Sequence, residues 1–402
     1  MVVNQLKAGA VLNYVVIGLN SLVGLLYTPY MLRMMGQSEY GLYSLVASVI
    51  AYLTIMDFGF GNAIIRYTAK FRAEGRQQEQ YAMFGMFLIL YSVIGILAFG
   101  AGLGLYFNVE ALFGDTMTVV EVERAKVLMI ILIFNLAVTF PLSIFGAVVT
   151  AYEDFIFQKV VQIVRILLNT VVMICLLKMG YRAVAMVVVQ TLFNLVTLLL
   201  NYYYCRRKIG IRIVFGRFRW GFLREVTVYS FWIFLNAIMD RIYWGTGQFV
   251  LGATVGTAAV AVFAVAIYLK DMYYSFSTSI SGVFLPKVTA MITTGASEQT
   301  VSDLFIRIGR IQYIVLAYVL SAFILLGRPF IALWAGEGYD ETYVIALMFF
   351  ASTLIPMIQN LGITILQARN EMKYRSILIL AVSAASLAAA IPDSSELSVW
   401  RR

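Results

Sequence analysis

The feature that most constrains this chain is a succession of apolar windows, each about the length needed to cross a bilayer. About eleven stretches of roughly 20 residues run nearly free of charge, separated by short polar turns. With 61% hydrophobic residues and a mean hydropathy of +0.86, the chain carries more apolar surface than a water-soluble core can hide. The solvent for most of it must be lipid, and the chain reads as an all-α multi-pass membrane protein. The windows predict spans at 8–32, 40–65, 81–107, 125–150, 155–177, 183–204, 226–250, 257–281, 309–333, 341–366 and 374–391. The first apolar stretch runs past Leu26 to Tyr30 with no small-residue cleavage site, so it reads as a retained span and not a leader.

A net charge of +9 would suggest nucleic acid in a soluble protein. Here the positions of the charges say otherwise. With a cytoplasmic N-terminus, the inside segments 66–80, 205–225, 286–310 and 367–375 hold, with the N-terminus, roughly 18 Lys and Arg, against roughly 6 outside. The outside loop 108–124 is acidic, with Glu110, Asp115, Glu121 and Glu123. No nucleic acid is implied. Histidine is absent, which removes the commonest general base and metal ligand, and Cys175 and Cys205 have no metal-site spacing. No metal or cofactor is expected, and no enzyme activity. Coupling to a proton or sodium gradient stays open.

The basic segment 205–225 divides the chain into an N-terminal lobe, 1–204, and a C-terminal lobe, 226–402. A weak internal repeat supports this. Aligning Gly36 with Gly256 places Gly41 on Ala261, Tyr43 on Phe263 and Asn20 on Asp240. AYEDFIFQ from Ala151 resembles ARNEMKYR from Ala368, and Pro141 and Pro356 precede them at similar distances. About six spans separate the copies, so two parallel six-helix lobes are expected. That repeat asks for a twelfth helix, yet the eleventh span ends in the polar stretch AAAIPDSSELSVWRR. The repeat favours a C-terminally truncated or frameshifted chain over a natural eleven-span protein.

Ionisable side chains at bilayer depth are costly unless paired or facing water, which makes them functional candidates. Arg165 lies in the fifth span, Asp240 and Arg241 in the seventh, and Lys270 and Asp271 in the eighth. Asp57 lies towards the inner end of the second. Asp240 and Lys270 are candidates for a mutual pair. Structural ion pairing and a cavity lining are both open for these residues, and cations at depth suit an anionic cargo. Asp57 sits beside Gly59 and Gly61, where a helix can bend, so bonding to freed amides competes with binding cargo. Asn13, Asn20 and Tyr27 recur at sevens on one face of the first span, and Asn20 leans to a cavity face.

The stretch MMGQSEYGLYSLVASVIAYLTIMDFGFGNAIIRYTAKF resembles the second-helix region of bacterial polysaccharide flippases of the O-antigen and teichoic-acid type. The matching elements are G-x-x-E-Y-G at Gly36 to Gly41, D-x-G-x-G-N at Asp57 to Asn62, and Arg66, read as a gate residue. The family belongs to the multidrug/oligosaccharidyl-lipid/polysaccharide exporter superfamily. The resemblance implies twelve to fourteen helices in two lobes. The implied function is alternating-access transfer of an undecaprenyl-pyrophosphate-linked oligosaccharide to the periplasmic leaflet of a bacterial inner membrane. It implies membrane lipid, and a polysaccharide polymerase and chain-length proteins, as partners. The alternatives are a multidrug or cation antiporter of the same superfamily, which needs a dependable acidic site, and a membrane polysaccharide polymerase or ligase, which needs a large catalytic outside loop.

Overall fold

The lipid environment dictates the architecture, because a backbone without water must bond to itself. The computed structural model describes residues 5–216, 220–369, 375 and 377–382, and every regular element among them is helical. Nine segments of the described residues are long and apolar enough to cross a membrane, from Val11–Met35 to Glu341–Ile358. They coincide with the first six expected spans and with the eighth to tenth. The expected seventh lies within a 35-residue helix, Trp220–Thr254. Most of the eleventh, and with it the expected loss of a last helix, falls outside the described residues. Leu26, Ile96 and Leu325 stand 72–79% exposed on these long helices, a disposition that only lipid makes favourable.

The chain forms two compact units, Met1–Thr257 and Ala258–Arg402. In the first, α1 (Gln5–Met35) leads through Gly36 into α2 (Gln37–Leu53), then a 3₁₀ turn (Thr54–Asp57) and α3 (Phe60–Ala73). There follow α4 (Gln77–Phe107), the short α5 (Val109–Phe113), α6 (Val119–Ala151), α7 (Phe155–Lys178), α8 (Ala183–Tyr204) and α9 (Trp220–Thr254). Helix α6 is the hub, packed against α2, α3, α4 and α8. Close approach to α4 depends on glycine: a Cβ on Gly95 would lie 2.6 Å from the Ala137 carbonyl oxygen. The start of α6 is fixed by a capping box between Thr118 and Glu121. Helix α9 packs on α2 and α3 and ties to α3 by a bond from Tyr67 Oη to Glu225 Oε1, 2.9 Å. The first compact unit thus runs one helix beyond the basic 205–225 segment.

That basic segment is itself structured up to residue 216. Helix α8 continues through one wide π turn, Cys205–Ile209, and stops at Gly210, whose φ of 76° suits glycine. The chain then turns back and lies against α4. Ile211 is buried, and the Val214 amide donates to the Tyr81 carbonyl at 3.2 Å.

The second unit comprises α10 (Thr257–Thr293), α11 (Glu298–Trp334), α12 (Glu341–Ile358) and α13 (Asn360–Arg369). The Tyr273 ring stacks on Phe350 at 4.3 Å, and its hydroxyl donates to the Leu316 carbonyl at 3.1 Å. The two glycines aligned by the sequence repeat, Gly36 (φ 80°) and Gly256 (φ 118°), both take positive φ immediately before a helix.

Candidate functional site

Four helices of the first unit enclose a cavity of about 510 Å³. Its apolar wall includes Ala47, Ile50 and Ala51 of α2 and Leu132 and Leu136 of α6. Its polar wall is a set of side chains spaced four apart, one pair per helix: Asn135 and Thr139 on α6, Arg165 and Asn169 on α7, Gln190 and Asn194 on α8. Residues i and i+4 share a helix face, so each helix turns one polar stripe into the same space. Among the described residues, no carboxylate lines it.

The polar groups hold one another loosely. Asn194 Nδ2 donates to Asn135 Oδ1 and to Thr139 Oγ1, both at 2.8 Å. Gln190 Nε2 donates to Tyr43 Oη at 3.1 Å. Asn169 Oδ1 is buried and has no hydrogen-bond partner among the described residues. Arg165 is half-buried and makes no hydrogen bond or ion pair among the described residues. A guanidinium offers five donors in a planar fork that fits phosphate oxygens, and amides and hydroxyls both donate to and accept from sugar hydroxyls. The cavity is therefore matched to a polar, anionic guest.

Asp57 serves a different purpose. Its carboxylate accepts from Tyr91 Oη of α4 at 2.5 Å and from the backbone amides of Gly59 and Gly61. Those amides open α3, following Phe58 and Gly59, which both lie in the left-handed region at φ 52° and 73°. Asp57 is the acceptor that closes the broken end of the second span. A Cβ on Gly61 would sit 4.0 Å from Asp57 Oδ2, at ordinary contact distance. The other motif is likewise structural. Gly36 supplies the positive-φ turn, and buried Glu39 pairs with Arg124 of α6.

The remaining candidates are dispersed. Asn20 is exposed on α1 and does not line the cavity. Its neighbour on that stripe, Asn13, accepts from Lys159 Nζ of α7 at 2.8 Å. Arg66 is exposed on α3, its guanidinium carbon 5.8 Å from the Tyr67 ring centroid. Arg241 is exposed on α9, and the side chain of Asp240 lies outside the described residues. Lys270 is buried in the second unit and pairs with Asp271 at 2.8 Å. Among the described residues there is no cluster able to hold a metal. The sequence reading found Arg165 and missed Asn135, Thr139, Asn169, Gln190 and Asn194. Their signal was the repeated four-residue spacing of polar side chains inside apolar spans.

Comparison with known proteins places these features. A family model described as a polysaccharide biosynthesis protein matches residues 6–292. The uncharacterized membrane protein EpsK of Bacillus subtilis (strain 168) is 19% identical over 371 residues, which cover 90% of this chain and 72% of EpsK. The fold is similar to that of a multidrug resistance MATE family transporter of the MOP superfamily in its inward-facing conformation, with a TM-score of 0.64 and 16% identity over 90% of this chain and 87% of the other. It is also similar to the MATE multidrug transporter DinF-BH, with a TM-score of 0.67 and 14% identity over 94% of this chain and 86% of the other. At such identities the likeness to both transporters is one of fold.

Proposed function

That the chain belongs to the polysaccharide biosynthesis protein family is the premise from which we propose that it is a flippase, not an enzyme, moving a lipid-linked oligosaccharide between leaflets. The cargo class is a polyprenyl carrier such as undecaprenol, joined through pyrophosphate to a sugar repeat unit. The observation that carries this reading is the cavity of the first unit, with its unpaired Arg165, its amide stripes and no carboxylate. Arg165 receives the pyrophosphate, and Asn135, Asn169, Gln190 and Asn194 receive sugar hydroxyls. An organic cation would meet a guanidinium and no countercharge, which disfavours the drug-antiporter alternative. Alternating access is the mode of transfer that a transporter fold of this kind supports. The proposed setting is a bacterial inner membrane with the N-terminus cytoplasmic, resting on the bias of Lys and Arg among the loops.

The test is transfer of a fluorescent polyprenyl-pyrophosphate oligosaccharide in proteoliposomes. Arg165→Gln is expected to slow transfer about tenfold or more, the scale of one lost charge-assisted contact, at unchanged abundance and melting temperature. Arg165→Lys keeps the charge without the fork and is expected to fall between. Wild-type rates in Arg165→Gln would sink the assignment. Efflux of an organic cation by the wild type, without sugar transfer, would replace it with the antiporter.

A further inference from the structure

The basic segment after α8 is a rigid surface and not a loose tether. Its inner side is fixed at two levels. Ile211 is 2% exposed, and Ile213 packs against the same core cluster of α3, α4 and α6. One level along, the segment's backbone lies directly on α4: a Cβ on Gly85 would stand 2.2 Å from the Val214 carbonyl oxygen. Only glycine at that point of α4 lets the segment lie there. The outer side is cationic. Arg206, Arg207, Lys208 and Arg212 are all exposed, as is Arg224 at the start of α9. From residue 155 to residue 224 the sequence contains no acidic residue; of the two acids that flank it, Asp154 faces Tyr204 and Cys205, and Glu225 is bonded by Tyr67. Apolar side chains flank the cations and are equally bare, Phe215 at 64% and Trp220 at 73% exposed. Phe215 follows the point where the segment lies on the membrane-crossing helix α4, and Trp220 opens α9, positions where exposed aromatic rings can meet headgroups.

We propose that this docked segment is a binding surface for anionic phospholipid headgroups, with the cations taking the phosphates and Phe215 and Trp220 entering the headgroup layer. Fixed cations beside inserted aromatic rings are the arrangement by which a protein surface selects anionic lipid. Docking on α4 at Gly85 fixes the backbone that carries the cations, which lowers the ordering cost of binding. This inference stands apart from the cargo assignment, since none of these residues lines the cavity.

The experiment is lipid retention by the full-length protein in nanodiscs of mixed phosphatidylglycerol and phosphatidylcholine, counted by native mass spectrometry. The wild type should retain phosphatidylglycerol in preference to phosphatidylcholine, less so as salt rises. Arg206→Gln/Lys208→Gln/Arg212→Gln should lower that preference about tenfold. A charge-matched control in exposed positions of the second unit, Arg307→Gln/Arg310→Gln/Arg328→Gln, should leave it within about twofold. Gly85→Ala, which keeps every charge but displaces the segment, should lower it as the triple variant does. If Gly85→Ala does not fold, Gly210→Ala supplies the same displacement at the positive-φ turn. No wild-type preference, an equal loss in the control, or full preference in a folded Gly85→Ala would each overturn the proposal.

Discussion

In the second unit, Gln312 and Asn360 are buried between helices and their amide nitrogens donate to protein, while Gln312 Oε1 has no partner among the described residues. Gln312 Nε2 donates to the Ser277 carbonyl at 3.2 Å, Ser277 Oγ donates to the Met357 carbonyl at 2.7 Å, and Asn360 Nδ2 donates to Ser281 Oγ at 2.8 Å. In the first unit the same kinds of side chain, Asn135, Asn169, Gln190 and Asn194, border open space beside an unpaired guanidinium. Inside a bilayer a polar group has only protein, water or cargo to bond with. Where the group is packed between helices with no space beside it, it is cement. Where a cavity borders it, the group faces space that a guest can fill even when it also bonds a neighbour. Residue type is the same in the two units, so the neighbours decide the role.

The largest effect that sharpens this contrast is on transport. Asn135→Ala/Asn194→Ala removes the bonded amide pair from the cavity wall. Transfer of the lipid-linked sugar should fall about tenfold, since a site built to bond a polar group loses strongly when partners vanish, while the melting temperature in detergent changes little. A large loss of melting temperature with normal transfer per folded molecule would show that this pair is cement too, and would break the comparison.

Next in size is the converse in the second unit. Asn360→Ala leaves the Ser281 hydroxyl without its donor and should cost about 1 kcal/mol of stability. Melting in detergent should fall by a few degrees, with transfer per folded molecule unchanged. A tenfold loss of transfer without loss of stability would mean that cargo reaches the second unit's interior.

The parts of this picture that could be read from the sequence are those set by local rules. Windows of about 20 apolar residues must become helices in lipid, and the described spans follow them. Asp57 beside two glycines suggested a bend with capping and cargo binding both open, and its bonds to Tyr91 and the two amides decide for the cap. Arg165 stood out because an unpaired cation is dear at that depth. What stayed hidden depends on which helices meet. A single Asn or Gln in a span is tolerated in many contexts, and only the convergence of α6, α7 and α8 makes Asn169 and Gln190 neighbours of Arg165. The basic segment read as a linker because its docking is decided by Gly85, some 120 residues earlier in the chain. Lys270 pairs with the adjacent Asp271 at 2.8 Å, a partner that helix geometry does not suggest because adjacent residues point apart; its expected pair with Asp240 lies outside the described residues.

The smallest expected effect concerns Asp57, which lies in the unit with the cavity but behaves like the cement of the other unit. Its carboxylate is engaged by Tyr91 Oη and by the amides of Gly59 and Gly61, so little of it is left for a guest. Tyr91→Phe removes one of these three bonds and should cost under about 1 kcal/mol. Asp57→Asn keeps an acceptor oxygen for the amides and should also cost under about 1 kcal/mol. Because the two residues share one bond, the double variant should cost less than the sum of the singles. All three proteins should transfer cargo at near wild-type rates per folded molecule, measured beside their melting temperatures. Loss of transfer in Asp57→Asn at unchanged melting temperature would reverse the assignment. The charge itself would then be required, and the broken second span would join the cavity as a second working part of the first unit.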